Sequence, residues 1–371
     1  MKEEKSKVLI LVPSITARGG ITNYYQVLRN EFPSFVEYFE RGARTWPVRK
    51  GFLQELIRAY RDFLNFKRRV ELKDITLVQS TTSLGLSTTI RDGFFLRYAR
   101  KKGIKTIVFF RGWDNEAEEK NQKRYLKLFK YFFFHADALI VLSKRTESVL
   151  KNWGYKKKIY TETTVVDKSL IKDISDTFIK EKFGDINKTG KINILFLSRI
   201  EKRKGIYELI DAYKVLRNKS KYDFSLTICG DGFELEPIKQ KVDLEQIEGV
   251  KIKGFVEGEQ KKQSFRQAHI FIFPSHGEGM PNAVLEAMGF GLPIITTPVG
   301  GVVDFFEEGK NGYFTTINNS LELVQKIEML TSNDRLFTEI AINNYKLALE
   351  RFSSDKVAKR ILNIFNEVTE D

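Results

Sequence analysis

Short, almost continuous apolar runs alternate with stretches of helical periodicity along most of the chain. This is the pattern of parallel strands buried on both faces and joined by helices. In the first half, Lys7–Val12, Thr76–Gln79, Thr106–Phe110 and Ala138–Leu142 predict strands, with helices over Thr22–Glu31, Phe52–Arg69, Ser87–Lys102 and Lys120–Phe134. Residues Lys156–Lys191 read as less regular. The alternation then restarts, with strands over Asn193–Leu197, Ser225–Cys229, Val250–Lys253, Ile270–Phe273 and Pro293–Thr296 and helices over Gly205–Asn218, Leu235–Val242, Glu259–Ala268, Pro281–Gly289 and Ser320–Thr331. The 371 residues exceed the roughly 250–300 at which one core tends to split in two. The expectation is an α/β protein with domains over 1–170 and 171–350, joined near 165–190, and a closing segment over 351–371.

In open α/β sheets ligands bind beyond the carboxyl ends of the strands, so the loops there should carry the chemistry. After Asn193–Leu197 comes Ser198-Arg199-Ile200-Glu201-Lys202-Arg203-Lys204-Gly205, which opens a helix. Arg199 and Lys204 place two cations beside the free N–H groups of a helix start, a combination suited to a diphosphate. The same spacing also describes a solvated basic loop, since Lys202 and Arg203 are basic too. After Ile270–Phe273, the loop Pro274-Ser275-His276-Gly277-Glu278-Gly279-Met280-Pro281-Asn282 lets backbone approach a ligand closely and leads into a helix bearing Glu286. Glu278 and Glu286, with seven residues between them, could accept hydrogen bonds from hydroxyls of a sugar and of a ribose. A third strand exit, Thr296-Thr297-Pro298-Val299-Gly300-Gly301, resembles many α/β turns and is weak evidence alone.

Taken in order, Leu197-Ser198-Arg199, Lys204-Gly205, Cys229-Gly230-Asp231-Gly232, Gly254-Phe255-Val256, Pro274-Ser275, Glu278-Gly279-Met280-Pro281-Asn282, Glu286-Ala287-Met288, Gly291-Leu292-Pro293 and Gly300-Gly301 closely resemble the retaining glycosyltransferases of family 4. The resemblance covers roughly residues 193–312. The first half matches more loosely, through Gly19-Gly20, Gly103-Ile104-Lys105 and Ala136-Asp137-Ala138. It implies the GT-B fold: two Rossmann-like domains facing a central cleft, the first on the acceptor side, the second binding a nucleotide sugar, and a terminal helix that crosses back. It also implies that Arg199 and Lys204 neutralise the nucleotide diphosphate, that Glu278 holds the donor sugar and that Glu286 holds the ribose. Gly254, Phe255 and Val256 would border the base. His276, Gly277, Gly279, Met280, Pro281 and Asn282 would line the donor loop, and Gly19 and Gly20 would approach the phosphate or the acceptor. The leaving phosphate can itself take the acceptor's proton, so no enzymic nucleophile is expected. With no Asp-x-Asp triplet in the chain, no metal is expected either, and the only co-substrate is a nucleotide-diphosphate sugar. One position departs from the family. Arg111 stands after Thr106–Phe110 where a histidine is common, and is expected either to meet an anionic part of donor or acceptor or to pair with Asp114 or Glu116.

The net charge of +14 is unevenly distributed. Residues 1–170 hold 34 Lys/Arg and 18 Asp/Glu, a net +16, whereas residues 171–371 hold 28 and 30, a net −2. A basic half suggests an anionic partner: membrane, phosphorylated substrate or nucleic acid. Nucleic acid is not expected, because no recognisable nucleic-acid module accompanies the charge and the site signature lies in the other half. Phe52, Leu53, Leu56, Ile57, Tyr60, Phe63 and Leu64 recur at helical spacing among Arg58, Arg61, Lys67, Arg68 and Arg69, after Arg41, Arg44, Arg49 and Lys50. Half of that pattern is ordinary core, and the remainder suits attachment to anionic lipid at about 1 kcal/mol per cation. One cysteine and three histidines exclude a disulfide framework and a structural zinc site. The apolar stretch Val8–Val12 is too short for a signal peptide, and no run is long enough to span a membrane. The resulting expectation is a cytoplasmic enzyme, peripheral on the inner face of the plasma membrane. It would extend a lipid-linked or oligosaccharide acceptor in bacterial surface polysaccharide assembly, of lipopolysaccharide or capsule. A catalytically silent sugar-nucleotide-binding subunit and a GT-B-fold epimerase are the alternatives.

Overall fold

The computed structural model describes residues 7–17, 19–42, 52–72, 74–113, 115–220 and 222–370. Arg18, Arg44, Arg49, Lys50 and Asp114 lie outside these. The chain divides into two units, one made of residues up to Val165 together with those from Ser354 onward, the other of Val166–Ser353. In chain order the first unit holds β1 (Lys7–Val12), α1 (Gly20–Leu28), β2 (Val36–Glu40), α2 (Phe52–Glu71), β3 (Ile75–Ser83), α3 (Leu86–Lys101), β4 (Lys105–Gly112), α4 (Asn115–Lys120), α5 (Leu126–Phe133), β5 (Ala138–Val141), α6 (Lys144–Asn152) and β6 (Lys158–Thr161). The second holds α7 (Asp176–Thr189), β7 (Lys191–Leu197), α8 (Ile206–Lys219), β8 (Asp223–Cys229), α9 (Leu235–Leu244), β9 (Val250–Gly254), α10 (Gly258–Gln267), β10 (Ile270–Phe273), α11 (Asn282–Gly289), β11 (Ile294–Thr296), β12 (Gly312–Phe314), α12 (Ser320–Thr331) and α13 (Asp334–Leu347). The last helix, α14 (Ser354–Glu370), belongs to the first unit.

Each unit is built on a six-stranded sheet, ordered β2-β1-β3-β4-β5-β6 in the first and β12-β11-β10-β7-β8-β9 in the second. All the strand pairs are parallel. The central runs are buried because helices cover both faces: Ile107, Val108 and Phe109 have no exposed surface, and neither do Ile270, Phe271 and Ile272. Each such side chain contributes roughly 1.5–3 kcal/mol on burial.

In the first unit, Phe110, Phe129, Phe133 and Trp113 form one aromatic cluster, and Phe39, Phe63, Phe66 and Phe95 another. α14 completes this unit by burying Val357, Ala358, Ile361, Ile364, Phe365 and Val368 along one stripe, packed on α1 and β3. Arg360 of α14 binds Glu162 at 3.0 Å.

The segment read as irregular, Lys156–Lys191, contains β6 and α7. Ser175 caps α7 by accepting from the Phe178 N–H at 3.1 Å, and Gly190 ends it in the left-handed conformation. α2 divides between core and surface. Its buried face is Asp62, Phe66 and Val70, while Leu56, Ile57 and Tyr60 stand exposed. Arg41, grouped above with the lipid-facing cations, is instead 2% exposed. It donates to the Thr81 carbonyl at 2.6 Å and to Asp92 at 3.0 Å. Burial lowers its pKa to about 10, against the opposing pull of Asp92.

The C-terminal half of β3 is polar yet buried, from Gln79 to Thr82. Gln79 donates to the Tyr25 hydroxyl at 2.7 Å, and that hydroxyl shares a 2.6 Å hydrogen bond with Thr81. These bonds offset the cost of taking amide and hydroxyl groups out of water.

Candidate functional site

The second unit's chemistry gathers at the carboxyl ends of β7, β8, β9 and β10, where the loops are fastened to one another by backbone. After β7, the Ser198 N–H donates to Cys229 O at 3.1 Å and the Ile200 N–H to Asp231 O at 2.8 Å. A single turn of 3₁₀ helix, Lys202–Lys204, follows and ends on Gly205 at φ +75°. A Cβ on Gly205 would stand 2.2 Å from the Pro274 carbonyl oxygen, so the β7 and β10 loops can approach this closely only with glycine there. The His276 N–H locks the same approach by donating to Arg203 O at 2.8 Å. Gly300, at φ +53°, plays the same part for the third loop: its Cβ would meet Gly279 O at 2.1 Å, and the Gly301 N–H donates to that oxygen at 2.7 Å.

This packing brings Lys204 and Glu278 into direct ion-pair contact. Lys204 is 5% exposed; burial lowers its pKa, and the neighbouring carboxylate works against that shift. Ser275, fully buried, donates to the same carboxylate at 3.0 Å. Arg199 behaves differently. Its side chain is 60% exposed and reaches Glu201 at 2.7 Å, and Glu201 also takes Arg203 at 2.9 Å. The two cations expected to act together are thus one buried and one solvated, each held by its own carboxylate.

Pro281 is the N-cap of α11 rather than part of its first turn, and Asn282 opens the helix with no side-chain cap and no acidic residue in the first turn. Glu286, one turn on, is 3% exposed and binds Lys261 of α10 at 2.6 Å. Lys261 was not foreseen from the sequence, for it comes from a separate helix and shares no spacing with the loop motifs. Gly277 precedes Glu278, and Gly279 and Met280 lead from it towards α11, Met280 buried. His276 lies beside α8, its Nε2 3.1 Å from Glu208. Gly254 ends β9 and accepts from the Gly230 N–H at 2.7 Å; beyond it Phe255 is 42% exposed and Val256 is buried. His269, away from these loops, accepts the Asn193 N–H on Nδ1 at 3.0 Å and packs on Phe183.

The remaining candidates lie in the first unit. Gly19 is the N-cap of α1, and Gly20 its first residue. Arg111 ends β4 at 8% exposure, with its guanidinium stacked 3.8 Å above the Tyr24 ring. It forms no ion pair with Glu116; Asp114 is outside the described residues. No group of three or more potential metal-ligating side chains occurs among the described residues, and no described helix is long and apolar enough to cross a membrane.

Residues 178–347 match the family glycosyl transferases group 1, and residues 50–163 match the family glucosyltransferase 3-like, N-terminal domain. The chain is 24% identical over 255 residues to the capsular polysaccharide biosynthesis glycosyltransferase CapM of Staphylococcus aureus, covering 65% of this chain and 67% of that protein. It is 28% identical over 304 residues to an uncharacterized glycosyltransferase of Methanocaldococcus jannaschii, covering 80% and 76%. Its fold is similar to that of HepE of Anabaena in complex with UDP-glucose, with a TM-score of 0.70 and 18% identity over 97% of this chain and 99% of that one. The second unit accordingly carries a glycosyl transferases group 1 domain, and the chain is a glycosyltransferase with a GT-B-like fold.

Proposed function

We propose that this glycosyltransferase is a retaining, metal-independent enzyme of family 4 that moves a sugar from a nucleotide diphosphate to a glycan acceptor in bacterial surface polysaccharide assembly. The capsular role in the name of the Staphylococcus aureus relative supports the pathway. The observation that carries the reading is the pair of lysine-held carboxylates, Lys204–Glu278 and Glu286–Lys261, at the carboxyl edge of one parallel sheet.

In this reading Glu278 and Glu286 exchange lysine for hydroxyl groups, of the donor sugar and the ribose respectively. Lys204, released from Glu278, turns to the diphosphate with Arg199, whose exposed guanidinium needs only to swing from Glu201. Both cations then stabilise the charge that builds on the phosphate as the sugar–oxygen bond breaks. That phosphate oxygen takes the proton of the acceptor hydroxyl, which attacks from the same face. His276, Gly277, Gly279, Met280, Pro281 and Asn282 shape the sugar loop, Gly254 to Val256 border the base, and Gly19 and Gly20 approach phosphate or acceptor in the first unit.

The acceptor is lipid-linked in this reading, and the first unit meets the inner face of the plasma membrane. The exposed Leu56, Ile57 and Tyr60 of α2, with Arg61 and Arg68 exposed on the same helix, support that role. Arg58 and Arg69 contribute less, being engaged by Glu55 and by Glu37.

The test is a panel of UDP- and GDP-sugars with nucleotide release as the readout. Acceptor-dependent release from one donor, retention of the anomeric configuration in the product and loss of release in Glu286→Ala are expected. Binding without turnover for every donor would instead make the chain a silent sugar-nucleotide-binding subunit.

A further inference from the structure

Among its described residues the first unit buries two arginines, Arg41 just after β2 and Arg111 near the end of β4, and their surroundings are opposite. Arg41 is matched by Asp92, which is wholly buried beside it at 3.0 Å. Arg111 is 8% exposed, and its Nε and Nη1 have no hydrogen-bond partner among the described residues. Its charge is faced by rings, the guanidinium carbon lying 3.8 Å from the Tyr24 ring centre and 5.3 Å from that of Phe109, and these contacts leave the N–H donors unused. The Tyr24 hydroxyl, also buried, lacks a partner as well. The carboxylate whose charge is felt at Tyr24, Glu162, is already taken by Arg360.

A guanidinium out of water with no carboxylate beside it is costly, and the cost is removed when a ligand brings the missing charge. Nε and Nη1 each form one tine of a fork whose other tine is Nη2, and such a fork is filled by two oxygens of one anion. Position agrees with chemistry: Arg111 is at the carboxyl end of a central parallel strand, where open α/β sheets take their ligands. A neutral sugar hydroxyl could accept one of these N–H bonds but would leave the charge unmatched.

We propose that Arg111 anchors an oxyanion site in the first unit, with Tyr24 as a second donor, for a carboxylate or phosphate carried by a carbohydrate substrate. This rests on the glycosyltransferase reading and narrows it: besides the donor's diphosphate, the transferred sugar or the acceptor carries an acidic group of its own, as a uronic acid or as a phosphorylated glycan.

The test measures binding of glucuronate, glycerol 1-phosphate and glucose to the full chain by calorimetry at fixed ionic strength. One of the two anions should bind at least about tenfold more tightly than glucose, and which one identifies the oxyanion. Arg111→Met should abolish that preference and Arg111→Lys, which keeps charge without the fork, should retain only part of it. Tyr24→Phe should weaken the preferred anion about threefold. Equal binding of anions and glucose by the unmodified protein overturns the proposal, as does a preference that survives in Arg111→Met; should that variant not fold, an unaltered preference in both Arg111→Lys and Tyr24→Phe overturns it. UDP is titrated in parallel. Failure of the unmodified protein to bind UDP breaks the glycosyltransferase reading and leaves the anion comparison legible.

Discussion

At the strand ends of the second unit the candidate charges are already answered, Lys204 by Glu278, Glu286 by Lys261 and Arg199 by Glu201, whereas in the first unit Arg111 has no opposite charge beside it among the described residues. The difference is one of resting state. In the proposed reading, a set of mutually neutralised groups gives up its cations and carboxylates by exchange, so its ligand supplies both hydroxyls and phosphate. A lone buried cation requires only negative charge, and selects for it.

Substitutions test this contrast most sharply where an ion pair is broken. Arg41→Met leaves the buried Asp92 with Arg91 as its one remaining cation and should cost about 2–3 kcal/mol of stability, read as a lowered urea midpoint. A loss near zero would remove the basis for treating Arg41 and Arg111 as opposites. Next, Lys204→Ala should lower kcat/KM by roughly 10²–10³, the usual effect of deleting one group that stabilises developing oxyanion charge. Unchanged turnover would reduce the Lys204–Glu278 pair to a structural brace.

A smaller effect separates the units by pH. Burial, aided by the charge of Lys182 and opposed by Asp185, drops the His269 pKa to about 3. The unfolded chain binds a proton at this residue below about 6.5 and the folded chain does not, so stability falls as pH drops from about 6.5 towards 3, by roughly 2 kcal/mol at pH 5. His269→Asn should flatten that slope in denaturant titrations at pH 5 and 7. The smallest effect expected is that of Arg111→Met on stability, within about 1 kcal/mol of the unmodified protein and on the stabilising side, since it deletes an unmatched buried charge. A large loss of thermal stability would make Arg111 a packing residue.

Most of the sheet architecture was legible in the sequence because its central strands are apolar throughout. Lys7–Val12 and Ile270–Phe273 were read to the residue. The strands that escaped notice, β2, β6 and β12, all lie at sheet edges, where one side has no neighbour and the apolar run shortens or mixes with polar residues. α7 was missed for a related reason: Lys and Asp interrupt its apolar positions, and its clearest signals are the Ser175 and Gly190 caps. At the candidate site, the loops were legible because glycines and charged residues are concentrated there. Lys261 was not, because pairing between α10 and α11 is a tertiary fact with no local pattern. α2 misled in the opposite direction. Its apolar spacing is helical, but the described apolar positions that are buried are Phe66 and Val70, with Phe66 against Phe39 and Phe95, while Leu56, Ile57 and Tyr60 are exposed.

The place of α14 also orders events during synthesis. The second unit, Val166–Ser353, is continuous in the chain and has all its residues once Ser353 has emerged from the ribosome. The first unit, though translated earlier, waits for Val357, Ile361, Ile364 and Phe365 before its last apolar stripe is covered. The half that is made first is therefore finished last, and until then its nascent form exposes the surfaces of α1 and β3 that α14 will occupy, a natural point of engagement for chaperones.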